Sequence, residues 1–255
     1  MRLEVCCEGD SMAKTISGAW PRLSLALSAT LMLACAVAGI ADQKKNSAAS
    51  GASVFAQDKG KLTIKLDGQN VGREEFEITP SGGGWLAKGD AEIKPSGGPT
   101  SKISGSLVLQ PDGAPVSYEW TSQAEKTNSA HFLFANGLAK MTLQMQGASP
   151  FDQTFTFDTT RIAVLDNNLY HQYAVLARLY DWSKRGPQTF PVLIPQELMP
   201  GTITAEATGA AALDGKSYEA FRVTTADLEV DLYLDSAHRL MRLEVPAAKV
   251  SVIRD

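Results

Sequence analysis

The segment 167–182 is the feature of this sequence that most restricts the fold, because it is the one convincing helix and is apolar on almost every side. One apolar stripe follows the i, i+4, i+7, i+11 spacing of a helix and consists of Leu169, Tyr173, Leu176 and Tyr180. A second stripe holds Val175, Leu179 and Trp182, and a thin polar edge holds His171, Arg178 and Asp181. We expect such a helix to be enclosed by other structure rather than laid on a surface.

The segments around that helix have the two-residue period of β-strands. In the clearest of them, Leu228, Val230, Leu232 and Leu234 are separated by single polar or aromatic residues. Asn136-Gly137, the favoured pair of a type I′ turn, lies between two such segments and predicts a hairpin. Turns recur about every 8–12 residues, which is typical of an antiparallel barrel or sandwich. We therefore predict a mainly β protein, an antiparallel meander forming an open or closed barrel-like sheet around a single α-helix at about 167–182.

Local signals predict where the helix begins and ends. Asp166, Asn167 and Asn168 are candidate caps for its start. The Arg-Gly-Pro sequence at 185–187 is expected to stop it. The following segment, 190–199, contains Pro191 and Pro195, so we predict an edge strand or an ordered loop there.

The first part of the chain predicts export. Residues 1–41 have a basic Arg22, an apolar run and small residues before the first following charge, which is the pattern of an export signal. A membrane-spanning helix is the alternative, since an apolar run of about 18 residues just reaches spanning length. Met12 is an alternative start. Residues 42–54 have the composition of a linker, and 55–255 form a single β-rich domain. We predict a bacterial protein of the periplasm or cell envelope.

A possible lipid anchor accompanies this signal. The sequence Met-Leu-Ala-Cys ending at Cys35 is similar to the lipobox of bacterial lipoproteins, which would place a lipid on Cys35. Met32 at its first position and the apolar residues after Cys35 depart from that pattern. Plain secretion and lipid anchoring therefore both stay open, and a lipid on Cys35 is the only membrane attachment predicted.

Cysteine usage and charge exclude several classes of function. All three cysteines, Cys6, Cys7 and Cys35, fall within residues 1–41. The remainder can therefore form no disulfide, thiolate nucleophile or cysteine-ligated zinc site. The chain has 24 Lys+Arg against 28 Asp+Glu, and its basic residues are scattered. Nucleic-acid binding requires a basic patch or stripe, so we predict no nucleic-acid partner.

No motif nominates a catalytic or metal site. His131, His171 and His238 lack metal-ligand spacing, and we expect solvent or capping roles for them. There is no Gly-x-Ser-x-Gly motif. The paired carboxylates Glu74-Glu75 and Glu229 with Asp231 are expected on solvated strand faces. We predict no catalytic residue, no metal and no cofactor.

The apolar residues suggest a binding surface more than any polar group does. Methionine and aromatic side chains suit adaptable apolar sites, although they also suit an ordinary core. The candidate ligand-binding residues are Met141, Leu143, Met145, Phe155, Phe157, Tyr170, Tyr173, Leu176 and Tyr180. The predicted ligand is an apolar small molecule or lipid.

A family resemblance rests on the two ends of the predicted domain. The pattern Leu62-x-Ile64-x-Leu66, then 71–78 (Val-Gly-x-x-x-Phe-x-Ile), a glycine-rich turn and Trp85 resembles exported bacterial β-rich domains of unknown function. The close at 232–243 is similar to theirs as well. The predicted architecture resembles periplasmic lipoprotein carriers of the LolA/LolB type and mycobacterial lipid-binding lipoproteins. This resemblance implies a β-sheet cup for a lipid, and it carries over no functional residue.

Three hypotheses of function follow. The first is a non-catalytic protein that binds or carries a lipid or acyl chain inside the sheet. The second is a structural or interaction module of the envelope with a solid core, acting through 190–199 or an edge strand. The third and weakest is a hydrolase, which would need a polar cluster in a cleft, for instance around His171 or His131.

Overall fold

The computed structural model describes residues 55–95 and 97–255. The predicted export signal, the predicted linker and Cys35 lie outside these residues. Within the described part, none of the helices has the length and apolar character needed to cross a membrane.

A single sheet contains all fifteen strands of the described chain. They are β1 Asp58–Leu66, β2 Gln69–Ser81, β3 Gly84–Ile93, β4 Ser101–Leu109, β5 Pro115–Gln123, β6 Thr127–Ala135, β7 Leu138–Met145, β8 Phe151–Thr156, β9 Ala163–Val164, β10 Gln188–Ile194, β11 Met199–Leu213, β12 Lys216–Thr224, β13 Glu229–Leu234, β14 Leu240–Val245 and β15 Val250–Arg254. The helix α1, His171–Leu179, lies between β9 and β10 in the chain. Short 3-10 turns follow β10 at Pro195–Glu197 and β14 at Pro246–Ala248.

The sheet is a meander whose first and last strands pair in its middle. Its order runs from β8 down to β1, then from β15 down to β9. The pairing of β1 with β15 brings Leu62 opposite Arg254, and every neighbouring pair except β9 with β10 is antiparallel. The sheet is not closed, because β8 and β9 are its two edges. The predicted β-rich meander around one helix is confirmed, in its open form.

Local sequence chemistry explains the strands and their turns. In β13 every second residue is buried, as the alternation predicts. Asn136 and Gly137 both have positive φ, 51° and 74°, which is the type I′ geometry expected of this pair. The hairpin β6–β7 therefore forms where the sequence predicts it.

The helix is shorter than predicted. It spans only His171–Leu179, and Asp166, Asn167 and Asn168 do not cap it. The chain becomes extended at Tyr180 (φ −69°, ψ 134°), well before the 185–187 stop signal. The predicted bounds of about 167 and 182 are therefore four residues too early at the start and three too late at the end. At the start, β2 supplies the acceptor for the Tyr170 and His171 N–H groups, which the local cap signals do not.

The 190–199 segment also differs from its prediction. Its residues 195–197 form a 3-10 turn, and position 199 begins β11. Its first part, 190–194, belongs to β10, which pairs along its length with β11 and at Val192 and Leu193 with the two-residue strand β9. β10 is therefore the strand next to the edge. Pro191 lies just before the residues that pair with β9, so its missing N–H does not interrupt that pairing.

One row of directly paired residues on the inner face of the sheet positions the helix. The row crosses eight strands and consists of Gly60, Phe76, Gly89, Gly105, Trp120, Ala130, Leu143 and Phe151. We call it the glycine row. A Cβ on Gly89 would lie 2.4 Å from the His171 ring, and one on Gly105 would lie 2.4 Å from Leu169 Cδ1. The start of the helix therefore packs directly against the strand backbone at Gly89 and Gly105, where any larger residue would overlap it.

We expect Gly105→Ala to destabilise the fold, because the added methyl group would overlap Leu169 and touch the Tyr118 hydroxyl at 3.0 Å. Overpacking of this kind typically costs about 1–3 kcal/mol. Urea unfolding followed by circular dichroism measures the loss.

Gly98→Ala is the matched control, since the nearest atom to its Cβ would lie at an ordinary 3.6 Å. It should unfold at the wild-type urea concentration. Equal midpoints for the two variants would contradict the close seating of the helix on Gly105.

Candidate functional site

Glu74 of β2 is fully buried and binds the start of the helix. Its Oε2 accepts a hydrogen bond from the Tyr170 backbone N–H at 2.7 Å, and its Oε1 accepts one from the His171 N–H at 3.2 Å. A carboxylate is favourable there because the first N–H groups of a helix are unpaired and carry partial positive charge. The prediction that Glu74 lies on a solvated face was wrong.

His171 is fully buried as well, and it completes this contact. Its Nδ1 lies 2.5 Å from Glu74 Oε1, and its ring stacks on Phe76 with 5.9 Å between centroids. The expected polar edge of the helix is therefore wrong at His171, which faces the sheet at Gly89. Its Nε2 has no hydrogen-bond partner among the described residues.

A second buried carboxylate, Asp166, joins the segment before the helix to three other parts of the fold. Asp166 Oδ2 accepts hydrogen bonds from the Tyr118 hydroxyl at 3.1 Å and from Gln196 Nε2 at 2.7 Å. Its Oδ1 accepts from the Asn168 N–H at 3.0 Å, and its own N–H donates to Gln172 Oε1. Burial raises the pKa of Asp166 above its ordinary value, and these hydrogen bonds partly oppose the shift.

These carboxylates hold the helix in place rather than face a cleft. Glu74 and His171 are completely shielded from solvent, and Asp166 is 3% exposed. No group of three or more His, Cys, Asp or Glu in residues 55–95 and 97–255 is arranged to hold a metal ion. The expected solvent role is wrong for His171, while His131 is exposed in β6 as expected. His238 stacks on Trp182 at 3.8 Å.

An apolar groove of about 280 Å³ lies farther along the inner face, where the glycine row passes beyond the helix. It is lined by Trp120, Asn128, Ala130, Leu143, Met145, Pro195, Gln196 and Leu198. We call it the apolar groove. Five of these side chains come from strands β5, β6 and β7, and Pro195 and Gln196 belong to the 3-10 turn after β10.

Two large apolar side chains in or next to the apolar groove are exposed. Met145 is 42% exposed and Phe151 is 45% exposed. Phe151 pairs directly with Leu143, so it lies on the same face beside the groove lining. This cluster differs from isolated apolar surface residues, which are common and need no explanation.

The turn after β10 closes one side of the groove and approaches the edge strand β8. Gln153 Nε2 of β8 donates a hydrogen bond to the Leu198 carbonyl at 3.3 Å. Leu198 has a left-handed backbone conformation (φ 52°), which lets the chain reverse into β11. Gln196 holds the turn from inside through Asp166.

The predicted ligand-binding residues divide between core and groove. Leu143 and Met145 line the apolar groove. Five others are buried in the main core, namely Met141, Phe155, Tyr170, Leu176 and Tyr180. Tyr173 and Phe157 are partly buried and pack against that core. The Tyr180 hydroxyl is already used, since it donates to the Gly186 carbonyl at 2.7 Å and accepts from the Ala207 N–H at 3.2 Å.

Sequence reasoning missed most of the groove lining. Trp120 was not among the predicted site residues, and Pro195 was considered only as a strand breaker. The alternation in β5 places Trp120 on the same face as Tyr118. Only the strand register shows that Trp120 lies beside Ala130 and Leu143.

No family model matches this chain, and no curated protein matches it. Among solved structures, it is similar to a β-barrel-like protein of the domain of unknown function DUF1849 from Brucella abortus. The two sequences are 9% identical, and the match covers 78% of this chain and 94% of that chain with a TM-score of 0.52. It is also similar to a DUF1089 family protein from Pseudomonas aeruginosa, with 11% identity, coverage of 69% and 90%, and a TM-score of 0.43.

The likeness to the Brucella protein shows a shared barrel-like β fold. The predicted resemblance to β-rich domains of unknown function is confirmed at that level. The likeness to lipoprotein carriers stays a prediction.

Glu74→Ala is expected to destabilise the protein strongly. It would leave His171 and two helix N–H groups buried without their acceptor. Leaving a buried hydrogen-bonding group without its partner typically costs about 1–3 kcal/mol, and here three donors would lose theirs. Urea unfolding of Glu74→Ala, His171→Ala and the double variant gives the coupling between the two residues.

Glu75→Ala is the control, because Glu75 is the neighbouring carboxylate and forms only an exposed ion pair with Lys61. Its urea midpoint should stay close to wild type. A similar loss in Glu74→Ala and Glu75→Ala, or no coupling with His171, would contradict the role assigned to Glu74.

The stability of Asp166→Asn relative to wild type is expected to increase with pH. Burial raises the pKa of Asp166 in the folded protein above its unfolded-state value. Protonated Asp166 therefore contributes to the stability of the wild type at low pH, and this contribution is lost as pH rises through the folded-state pKa. The asparagine side chain of the variant does not titrate and keeps an oxygen acceptor. Urea midpoints of both proteins from about pH 4 to about pH 7 measure the difference, which spans the range above the ordinary aspartate pKa. A difference that falls with pH would contradict this assignment.

Proposed function

We propose that this protein is an exported, non-catalytic binder of an apolar chain, such as the acyl chain of a lipid, and that the chain lies in the apolar groove. The observation that carries the proposal is an apolar cluster on the inner face of the sheet, in which Met145 and Phe151 are exposed beside the partly buried Leu143. Export is supported by residues 1–41 of the sequence, and amino-terminal sequencing of protein from the cell envelope tests it.

Desolvation supplies the binding free energy in this proposal. Each Å² of apolar surface that leaves water contributes roughly 25 cal/mol. A volume of about 280 Å³ has room for about nine heavy atoms at the packing of a liquid. The groove therefore suits one end of a medium-length chain, whereas a whole lipid would extend out of it past Met145 and Phe151.

The proposed site lies beside the helix N-terminus rather than around the helix. Tyr170, Leu176 and Tyr180 pack into the continuous core. The glycine row brings the sheet directly against His171 and Leu169, so the start of the helix occupies that part of the inner face. The groove begins at Trp120, the next residue of the row after Gly105.

An envelope interaction module is the second candidate, and one observation favours it. Just after β8, the Phe157 N–H donates to the carbonyl of Gly137, which comes just before β7. By alternation, the backbone groups of Asp152, Thr154 and Thr156 therefore point to the free edge. An extended partner segment could pair there, beside Phe151. Thr154→Pro would remove one edge donor and should not affect the binding of an apolar chain.

We expect a brominated ten-carbon acyl glyceride to quench the fluorescence of Trp120, because bromine quenches indole on contact and Trp120 lines the groove. Met145→Asp should weaken this binding at least about tenfold, since it places a charge among apolar groups at the open end of the groove. Titration of wild type and variants with the brominated chain gives both affinities. The Trp120→Phe variant reports the signal that comes from the remaining tryptophans, Trp20, Trp85 and Trp182.

Leu133→Asp is the matched control. Leu133 is 52% exposed, but it lies on the outer face of β6 between the inward residues Phe132 and Phe134. The affinity of the Leu133→Asp variant for the brominated chain should equal that of wild type. Absence of saturable quenching in wild type would overturn the proposed function. A partner whose binding is lost in Thr154→Pro would then support the interaction module.

A further inference from the structure

Met145 lines the apolar groove and is also accessible to solvent, with 42% of its surface exposed. Met141, on the same face of β7, is only 2% exposed, and Met241 of β14 is half-buried. Residues 55–255 contain no cysteine, so all of their sulfur is in methionine thioethers. We therefore expect an oxidant in solution to reach the sulfur of Met145 before that of Met141 or Met241.

Hydrogen peroxide oxidises such a thioether in a single two-electron step. A lone pair of the Met145 sulfur attacks one peroxide oxygen, so that an S–O bond forms while the O–O bond breaks. Sulfur is oxidised and peroxide is reduced. The proton of the transferred hydroxyl passes to the departing hydroxide, which leaves as water. The product is methionine sulfoxide, and sulfoxide reductases convert it back to methionine.

The sulfoxide would change the polarity of the groove lining. Oxidation turns a flexible apolar side chain into a polar one that accepts hydrogen bonds. In the lining, Gln196 Nε2 already donates to Asp166, whereas the amide of Asn128, directly opposite Met145 in the β6–β7 pair, can donate to the new oxygen. A bound apolar chain offers no donor, so it would remove water from the sulfoxide without replacing that hydrogen bond.

We propose that Met145 is an oxidation site that regulates the apolar groove: the thioether form binds the apolar chain, and the sulfoxide form binds it more weakly. This inference rests on the proposed function, since it assigns a regulation to the same groove. The reverse effect follows from the same contact, because a chain that covers Met145 shields its sulfur from peroxide.

Peroxide treatment of the protein followed by peptide mass spectrometry tests the site itself. Met145 should gain an oxygen atom before Met141 and Met241 do. A saturating amount of the brominated ten-carbon glyceride should slow the oxidation of Met145 and leave the rate at Met241 unchanged. Equal oxidation rates at Met145 and Met141 in the free protein would overturn the assignment of the site.

Isothermal titration calorimetry with the same glyceride tests the regulation, because its signal does not depend on tryptophan fluorescence. The oxidised protein should bind the glyceride at least about fivefold more weakly than the untreated protein, which is the lower end of the usual effect of burying a polar group without a partner. Treatment with a methionine sulfoxide reductase should restore the original affinity.

Two variants separate Met145 from other effects of peroxide. Met145→Leu has no sulfur at this position, so its affinity should be the same before and after peroxide treatment. Met241→Leu should still lose affinity on oxidation as wild type does, because Met241 lies in β14, outside the groove lining. A loss in Met145→Leu as large as that in wild type would overturn the regulation by Met145.

The outcomes distinguish this inference from the proposed function. If the untreated protein does not bind the glyceride, both fail. If the untreated and oxidised proteins bind it equally well, the chain-binding function stands and the regulation is overturned.

Discussion

The contact between Glu74 and the start of the helix is the interaction on which the arrangement of the inner face depends. The helix has nine residues, and isolated helices shorter than about 12–15 residues are marginal in water. No side chain of its own N-cap residue satisfies its first N–H groups. Glu74, 97 positions away from His171 in the sequence, does so instead. The helix therefore forms at this place because the sheet supplies its cap.

The same contact fixes how close the helix lies to the sheet. For Glu74 to reach Tyr170 and His171, the helix end must approach the glycine row, where Gly89 and Gly105 leave room for the His171 ring and Leu169. Side chains at those positions would push the helix away and open space beside it. With glycine there, the interior at the helix is filled. Apolar surface becomes accessible only where the row passes beyond the helix, at Trp120 and Leu143.

Features of the fold that neighbouring residues specify could be predicted from the sequence, whereas contacts between distant strands could not. The β6–β7 hairpin was predicted because Asn136 and Gly137 specify their own turn geometry. The position of Glu74 could have been predicted but was misjudged. Glu74 lies two and four residues before the inward residues Phe76 and Ile78, so alternation alone places its side chain on the inner face of the sheet. We placed it outside because we treated it together with its neighbour Glu75 as a solvated pair of carboxylates, although consecutive residues of a strand point to opposite faces. Its partners in the helix could not be found without the fold.

The apolar groove was beyond sequence reasoning for a different reason, namely that its residues become neighbours only through strand register. Alternation identifies Leu143 and Met145 as one face of β7, but a shift of one residue in register would turn that face to solvent. The observed register places Trp120, Ala130, Leu143 and Phe151 side by side across four strands.

That alignment also distinguishes the groove from the other exposed apolar residues. Leu66 is 41% exposed and Leu133 is 52% exposed, but neither lines the groove, and single residues of this kind are ordinary on protein surfaces. Met145 and Phe151 are exposed to a similar degree on the inner face, beside an apolar lining. Apolar side chains that remain accessible beside one another form the kind of surface that the proposed apolar chain would cover.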